Sequence, residues 1–328
     1  MKDSVLRIDG LQYCNWNRAI FEQMRAGGLN AAHVTIAYWE NARETLSNIG
    51  HWNQLFERYD DLIMPVRQAP DILAALQKDK VGIVFGFQNC SPIEDDISLV
   101  EVFCQLGVRI MQLTYNNQSL LGAGCYEDHD AGITRFGKVV IEEMNRVGMV
   151  VDMSHSAERS TLEAIELSDR PITISHANPA FFHPARRNKS DKVLSALAES
   201  DGMLGLSLYP FHLKNGSDCS LKDFCAMVAR TVDTMGVDRV GIGSDLCLGQ
   251  DLAVLEWMRN GRWSKDKDYG EGSAADADWP EPPAWFGTSA DFPNITHGLA
   301  ETGFQQQDID KIMGGNWFRF FQESFSPA

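Results

Sequence analysis

Eight short, near-continuously apolar runs recur along the 328 residues, most of them separated by a stretch long enough for a helix. They cover residues 5–9, 31–37, 81–87, 108–114, 149–153, 171–175, 203–208 and 239–243. Runs that do not alternate polar with apolar residues suit strands covered on both faces, the situation inside a parallel sheet flanked by helices. The intervening stretches carry the helical period. After Thr134, an N-cap candidate, Phe136, Val139, Val140, Glu143 and Val147 step by three and four, and Gly148 supplies a stop. Residues 95–106, 157–167, 191–199 and 221–235 behave similarly. Strand–helix alternation repeated eight times predicts one α/β domain built as a (β/α)8 TIM barrel, with an open doubly wound sheet as the alternative. Neither the glycine-rich dinucleotide fingerprint nor the P-loop pattern follows any run, which counts against the nucleotide-binding form of that alternative.

Two regions interrupt the alternation. Residues 41–79 leave room for two helices between the second and third runs, and residues 246–300 form an insertion rich in Gly, Pro and Trp after the eighth. Trp257, Trp263, Trp279 and Trp285 lie in that insertion, and residues 279–286 hold too many prolines for a helix. Loops that follow barrel strands build the active-site face, so the insertion is expected to be a lid, a subunit contact or a packed surface excursion.

Composition narrows the partners. Forty-five Asp and Glu against 29 Lys and Arg leave a formal charge of −16, which argues against a phosphate backbone as partner. No apolar run approaches the ~20 residues of a membrane helix. The opening residues lack the apolar core and cleavage site of a signal peptide, so a cytoplasmic location is expected. The seven cysteines are an odd number without a close pair and read as free, mostly buried thiols in a reducing compartment.

In a barrel the chemistry gathers at the C-terminal ends of the strands. The fifth run ends in Asp152-Met153-Ser154-His155, the sixth in Ile174-Ser175-His176 and the eighth in Gly243-Ser244-Asp245. Two imidazoles and a carboxylate from three strand ends can converge on one point, where the imidazoles can hold a metal and the aspartate can ligate or act as general base. His33 can point into the barrel. His51, His183, His212 and His297 read as solvated or capping groups, and His129, in a run of charged loop residues, as a solvated one.

These segments resemble the renal or membrane dipeptidases, peptidase family M19 of the amidohydrolase-like barrels. The resemblance is carried by Gly107-Val108-Arg109, Leu113-Thr114-Tyr115-Asn116, Thr134-Arg135-Phe136-Gly137, residues 143–149 and Val151-Asp152-Met153-Ser154-His155. It continues through residues 171–176, Arg187-Asn188 with Asp191, residues 240–245 and Gly314-Gly315-Asn316-Trp317. It implies a metallo-dependent hydrolase that cleaves dipeptides with a pair of zinc ions bridged by a glutamate. His155 and His176 match the histidines of the second metal. Asp245 matches the aspartate that handles the proton of the attacking water, and Arg187 matches an arginine for the substrate carboxylate. Tyr13, Gln88, Tyr115 and Asn316 are further substrate-side candidates, and a homodimer is expected.

The sequence departs from the family where the first metal sits. Leu11 and Tyr13 stand in for a His-x-Asp pair on the first strand, Gln88 for the bridging glutamate, and Tyr115 for a substrate-facing histidine. Two divalent cations bring four positive charges, and Asp245 alone remains among those carboxylate positions. A pair ~3.5–4 Å apart would repel strongly without the bridge, so a dinuclear zinc site is not expected. Three readings remain: a hydrolase of a small amino-acid-like substrate with one divalent metal, zinc for choice; a metal-independent enzyme using Asp245, His155, His176, Tyr13 and Tyr115; and a non-catalytic small-molecule binder. A narrower expectation places Trp279, Trp285, Tyr13 and Tyr115 in an aromatic cage for a methylated amine whose carboxylate Arg187 holds.

Overall fold

The computed structural model describes residues 6–262 and 278–326; Val5 of the first run and Trp263 of the insertion lie outside the described residues. Its strands are β1 (Ile8–Gln12), β2 (Ala31–Ala37), β3 (Ile63–Pro65), β4 (Val81–Phe87), β5 (Val108–Gln112), β6 (Val150–Asp152), β7 (Thr173–Ile174), β8 (Met203–Leu206) and β9 (Val240–Ile242). All pair in parallel, and direct pairing of β2 with β4, together with β1 with β9, closes eight of them into the expected (β/α)8 barrel.

The ninth strand is the addition to the predicted pattern. β3 lies within residues 41–79, between helices α1 (Ala42–Arg58) and α2 (Pro70–Gln77), and pairs only with the first half of β4. Three residues ending in Pro65 at a sheet edge leave too short an apolar signal to read as a strand.

The predicted helices appear as α3 (Ser98–Gln105), α4 (Arg135–Val147), α5 (Glu158–Leu167), α6 (Asp191–Glu199) and α7 (Leu221–Met235). Thr134 caps α4 by accepting the Gly137 N–H, and Gly148 ends it in the left-handed region at φ 77°. The buried stripe of α4 runs through Val140, Ile141, Met144 and Val147, whereas Val139 is 47% exposed. The face is thus turned by about one residue from the expected one.

The lower, N-terminal end of the barrel is plugged by α8 (Asn316–Ser324). Trp317 is fully buried, donates its indole N–H to Ile242 O at 2.9 Å, and packs with Phe320 and Phe321 beneath Ile8, Val84, Ile110 and Met203. A Cβ at Gly10 or Gly241 would meet the indole at 2.5–2.6 Å, so those strands carry glycine where the tryptophan enters. With that end sealed, the opposite rim is left for chemistry.

Candidate active site

Asp152, at the end of β6, organises the two histidines. Its Oδ1 accepts the Ser154 hydroxyl at 2.6 Å and its Oδ2 the Ser175 hydroxyl at 2.5 Å. With its own proton given to Asp152, Ser175 Oγ is left as the acceptor for His176 Nδ1, 2.7 Å away. His155 Nδ1 faces the Asn116 side-chain oxygen at 2.6 Å. Both rings therefore carry their proton on Nδ1, and the two Nε2 lone pairs face each other at 3.0 Å. Burial, and then the charge of Arg187, push both imidazoles well below the usual histidine range, which keeps them neutral.

Arg187 is 2% exposed, and its guanidinium donates to Ser154 O and, at 3.1 Å, to His176 O. These carbonyls fix the fork against the loops that carry the histidines. Asp245 enters from the end of β9 with a left-handed backbone, φ 57°, its N–H held by Leu11 O at 3.0 Å. Asn116 is left-handed too, at φ 59°; short polar side chains tolerate this conformation best. Burial pushes the Asp245 carboxyl up to about 7, against the pull of Arg187 and with a further push from Asp9.

His155, Arg187, Asp245, Tyr115 and Gln88 line one cavity of about 50 Å³. Tyr115 stacks on His155 with ring centroids 4.2 Å apart. Gln88 donates its amide to Thr35 Oγ1 at 2.8 Å and to the Tyr38 hydroxyl at 3.1 Å. The roof comes from the insertion: Leu255, Met258 and Arg259 project from helix α9 (Leu252–Asn260). As roofed, the volume is far below the ~300–1,000 Å³ of pockets for drug-sized ligands, so only a compact ligand fits without displacement of α9.

Several expectations are corrected. Asn316 is not among the residues lining the cavity; it spends both amide hydrogens on Val237 O and Val240 O, at 2.7 and 2.8 Å, below the barrel. Tyr13 lines a neighbouring cavity with Trp16, His51 and Trp52 and packs edge-on against Tyr38, outside the cavity that holds His155 and Asp245. The aromatic cage is not formed. Trp285 donates to Cys219 O at 2.7 Å and packs on Phe224, and Trp279 donates to Asp251 O at 3.0 Å and lines an adjoining cleft that shares Tyr209, Asp245 and Cys247 with the cavity. Each indole N–H serves a backbone carbonyl, so these rings brace the insertion and do not meet Tyr13 and Tyr115 around one pocket. His212, expected to be solvated, is 2% exposed, lines the cavity and faces Ser207 Oγ at 2.9 Å. His33 does point into the barrel, its Nδ1 donating to Gly10 O at 2.7 Å.

The residues that sequence reading missed fall into two groups. Tyr38 directly follows β2 and Tyr209 lies three residues past the end of β8, so the strand-end rule could have found them, and Asn116 lies inside a segment already singled out. Leu255, Met258 and Arg259 carried no signal, because their place depends on how the insertion folds back.

The donor set fits one cation and not two. Leu11 is fully buried and has no ligand atom, Tyr13 lines a neighbouring cavity, and Gln88 brings an amide oxygen but no charge to bridge two ions. Among the described residues no group of three or more His, Cys, Asp or Glu is arranged to hold a metal. The two converging Nε2 lone pairs of His155 and His176 nevertheless suit a single ion that prefers nitrogen ligands.

Comparison with known proteins places the chain. The family model described as membrane dipeptidase, peptidase family M19, matches residues 15–261. A dipeptidase of Claviceps purpurea is 24% identical over 285 residues, 86% of this chain and 60% of that one. The chain spans between 50% and 61% of the length of the curated dipeptidases it matches. Among solved structures, an amidohydrolase from Pseudomonas aeruginosa is 37% identical with a TM-score of 0.93, covering 98% of this chain and 97% of that one. A metallo peptidase from Rhodobacter sphaeroides, liganded with a phosphinate mimic of L-Ala-D-Ala, shares the fold at a TM-score of 0.81 and 17% identity, with 98% and 100% covered. By the extent of the family match, the chain belongs to the membrane dipeptidase family, peptidase family M19.

Proposed function

We propose that the protein hydrolyses the C–N bond of a small dipeptide-like or amide compound, using one zinc ion held by His155 and His176 and a base at Asp245. The observation that carries this reading is the pair of neutral imidazoles whose Nε2 atoms meet at 3.0 Å. Two lone pairs held so close by Asn116 and Ser175 repel unless an electrophile sits between them. When bound, the cation supplies Lewis-acid polarisation of the scissile carbonyl. The chain's own residues do the rest. Arg187, clamped by two carbonyls, presents its planar fork to the substrate carboxylate. Asp245, its carboxyl near neutrality, takes the proton of the attacking water and returns it to the leaving amine. Tyr115 stacks on His155 and Gln88 lines the same cavity, so both are placed to contact the substrate.

A second reading rests on the same pair. With no third ligand-type residue grouped with them among the described residues, His155 and His176 can share a proton and work with Asp245 without metal. Elemental analysis with a dipeptide panel separates the two. The expected result is at most one zinc per chain, removed by mild chelation together with activity, and lost in His155→Ala. Activity that survives both chelation and His155→Ala supports the metal-free route. Two tightly held zinc ions per chain overturn the mononuclear reading.

A further inference from the structure

Asp245 borders two spaces. Besides the cavity that holds His155 and Arg187, it lines the adjoining cleft between the loops after β8 and β9 and the insertion, and Tyr209 and Cys247 line both. That cleft, of about 60 Å³, is apolar where the first cavity is charged. Leu208, Leu246, Leu248, Pro280, Pro282 and Phe286 furnish most of its wall, and among the described residues Asp245 is the only charged one that lines it. Pro280 and Pro282 have no N–H to offer, and Phe286 spends its own on Pro283 O at 2.8 Å. The Ser244 hydroxyl is given to Asp9.

The insertion side of the cleft is tied at several points. Trp279 donates its indole N–H to Asp251 O at 3.0 Å, Ser217 donates its hydroxyl to Glu281 O, and Trp285 donates to Cys219 O at 2.7 Å. Phe286 packs edge-on against Phe292, centroids 5.2 Å apart. The prolines, their φ set by the ring, stiffen the chain between these ties. A wall held in place before the ligand arrives loses little freedom on binding, so apolar area buried against it is retained as affinity.

A substrate cleaved with Asp245 as base extends from it in two directions. Arg187 lines the cavity and not the cleft, so the carboxylate-bearing half belongs in the cavity. With no Lys, Arg or His in its described wall, the cleft has no partner for another carboxylate, and a polar side chain would lose water there without full replacement.

We propose that the cleft is the specificity pocket for the acyl half of the substrate, so that the compound cleaved carries a compact apolar side chain on the residue that supplies the scissile carbonyl. This rests on the hydrolase reading for the direction of the substrate, and cleavage and binding are therefore measured apart. Leu-Ala, Asn-Ala and Gly-Ala, with the alanine in both configurations, are compared on the intact protein supplied with zinc, by kcat/KM and by calorimetric titration. Leucine and asparagine are close in shape and differ in polarity, so the expected result is that Leu-Ala is preferred over both others by about 10- to 100-fold. Leu248→Phe, which fills the cleft, and Trp279→Ala, which opens it to water, bring these ratios toward one; Trp279→Phe, which loses the indole N–H but keeps a ring, retains most of the preference. A ratio between two substrates on one preparation is not lowered by partial unfolding. Equal treatment of Leu-Ala and Asn-Ala, or a preference that survives Leu248→Phe and Trp279→Ala, overturns the proposal and leaves the hydrolase reading standing where peptides are cleaved. Preferential binding of Leu-Ala that these variants abolish, without cleavage of any peptide, overturns the hydrolase reading and keeps the assignment of the cleft. Binding of no peptide overturns that assignment.

Discussion

Asp245 and Asn316 were both singled out from their segments, and only their surroundings tell a reacting group from a tie. Asp245 is at the cavity with its carboxyl pushed up to about 7, so it is protonated below that pH and competent as a base above it. The expected profile of kcat/KM against pH rises about tenfold per unit below ~7 and levels off above it, and Asp245→Asn loses about 10²–10⁴ in rate above pH ~7, a gap that narrows as the pH falls. A flat profile between pH 5 and 8 in the active enzyme would remove Asp245 from the role of base. Asn316 satisfies two carbonyls beside β9, so Asn316→Ala is expected to cost about 1–3 kcal/mol in denaturant unfolding while leaving KM and kcat per folded molecule as they were. A raised KM at unchanged stability would return Asn316 to the substrate. His155 and His176 were legible because each ends a strand run beside a serine. The tautomers were not, since they depend on Ser175 giving its proton to Asp152 and on Asn116 arriving from another loop.

The elements divide the same way. Helices α4, α6 and α7 were readable nearly to the residue, because period, N-cap and stop agree within each segment. Strands β6 and β7 shrank to three and two residues, since their neighbours turn outward to form the site loops. β3 was hidden by its length, and α9 by an insertion whose composition indicates loops. The plug helix α8 shows how an element far from the rim supports it. Trp317 fills the space that glycines of β1 and β9 leave open, so Trp317→Ala is expected to cost about 3–5 kcal/mol by equilibrium unfolding. A loss below 1 kcal/mol would mean that the barrel end does not depend on this ring.

At the scale of the whole molecule, the acid surplus of −16 and the site have little to do with each other. The surplus is spread over the chain, whereas the site carries more positive than negative side chains, and it is buried charge that couples the fold to pH. Lys189 donates its Nζ to Met153 O and Ser156 O, at 2.9 and 2.8 Å, and burial, with Arg187 adding to it, brings its ammonium down to about 7. In the unfolded chain that lysine keeps its proton up to about 10.5, so between these values the unfolded state binds the extra proton and stability rises with pH. The contribution is up to about 1.4 kcal/mol per pH unit over that window, and the difference in unfolding free energy between the parent and Lys189→Met should track it. Parallel pH curves for the two proteins would show that Lys189 is not titrating there. What the sequence determined by itself was the barrel, the rim on which the chemistry stands and two of its histidines, because hydrophobic period and strand-end position are local properties of the chain. The tertiary structure decided which phenols and which arginine join them, and where the tryptophans go. The number of cations is left to the elemental analysis; the other two depend on distances between side chains far apart in sequence, and on the burial that sets their charge.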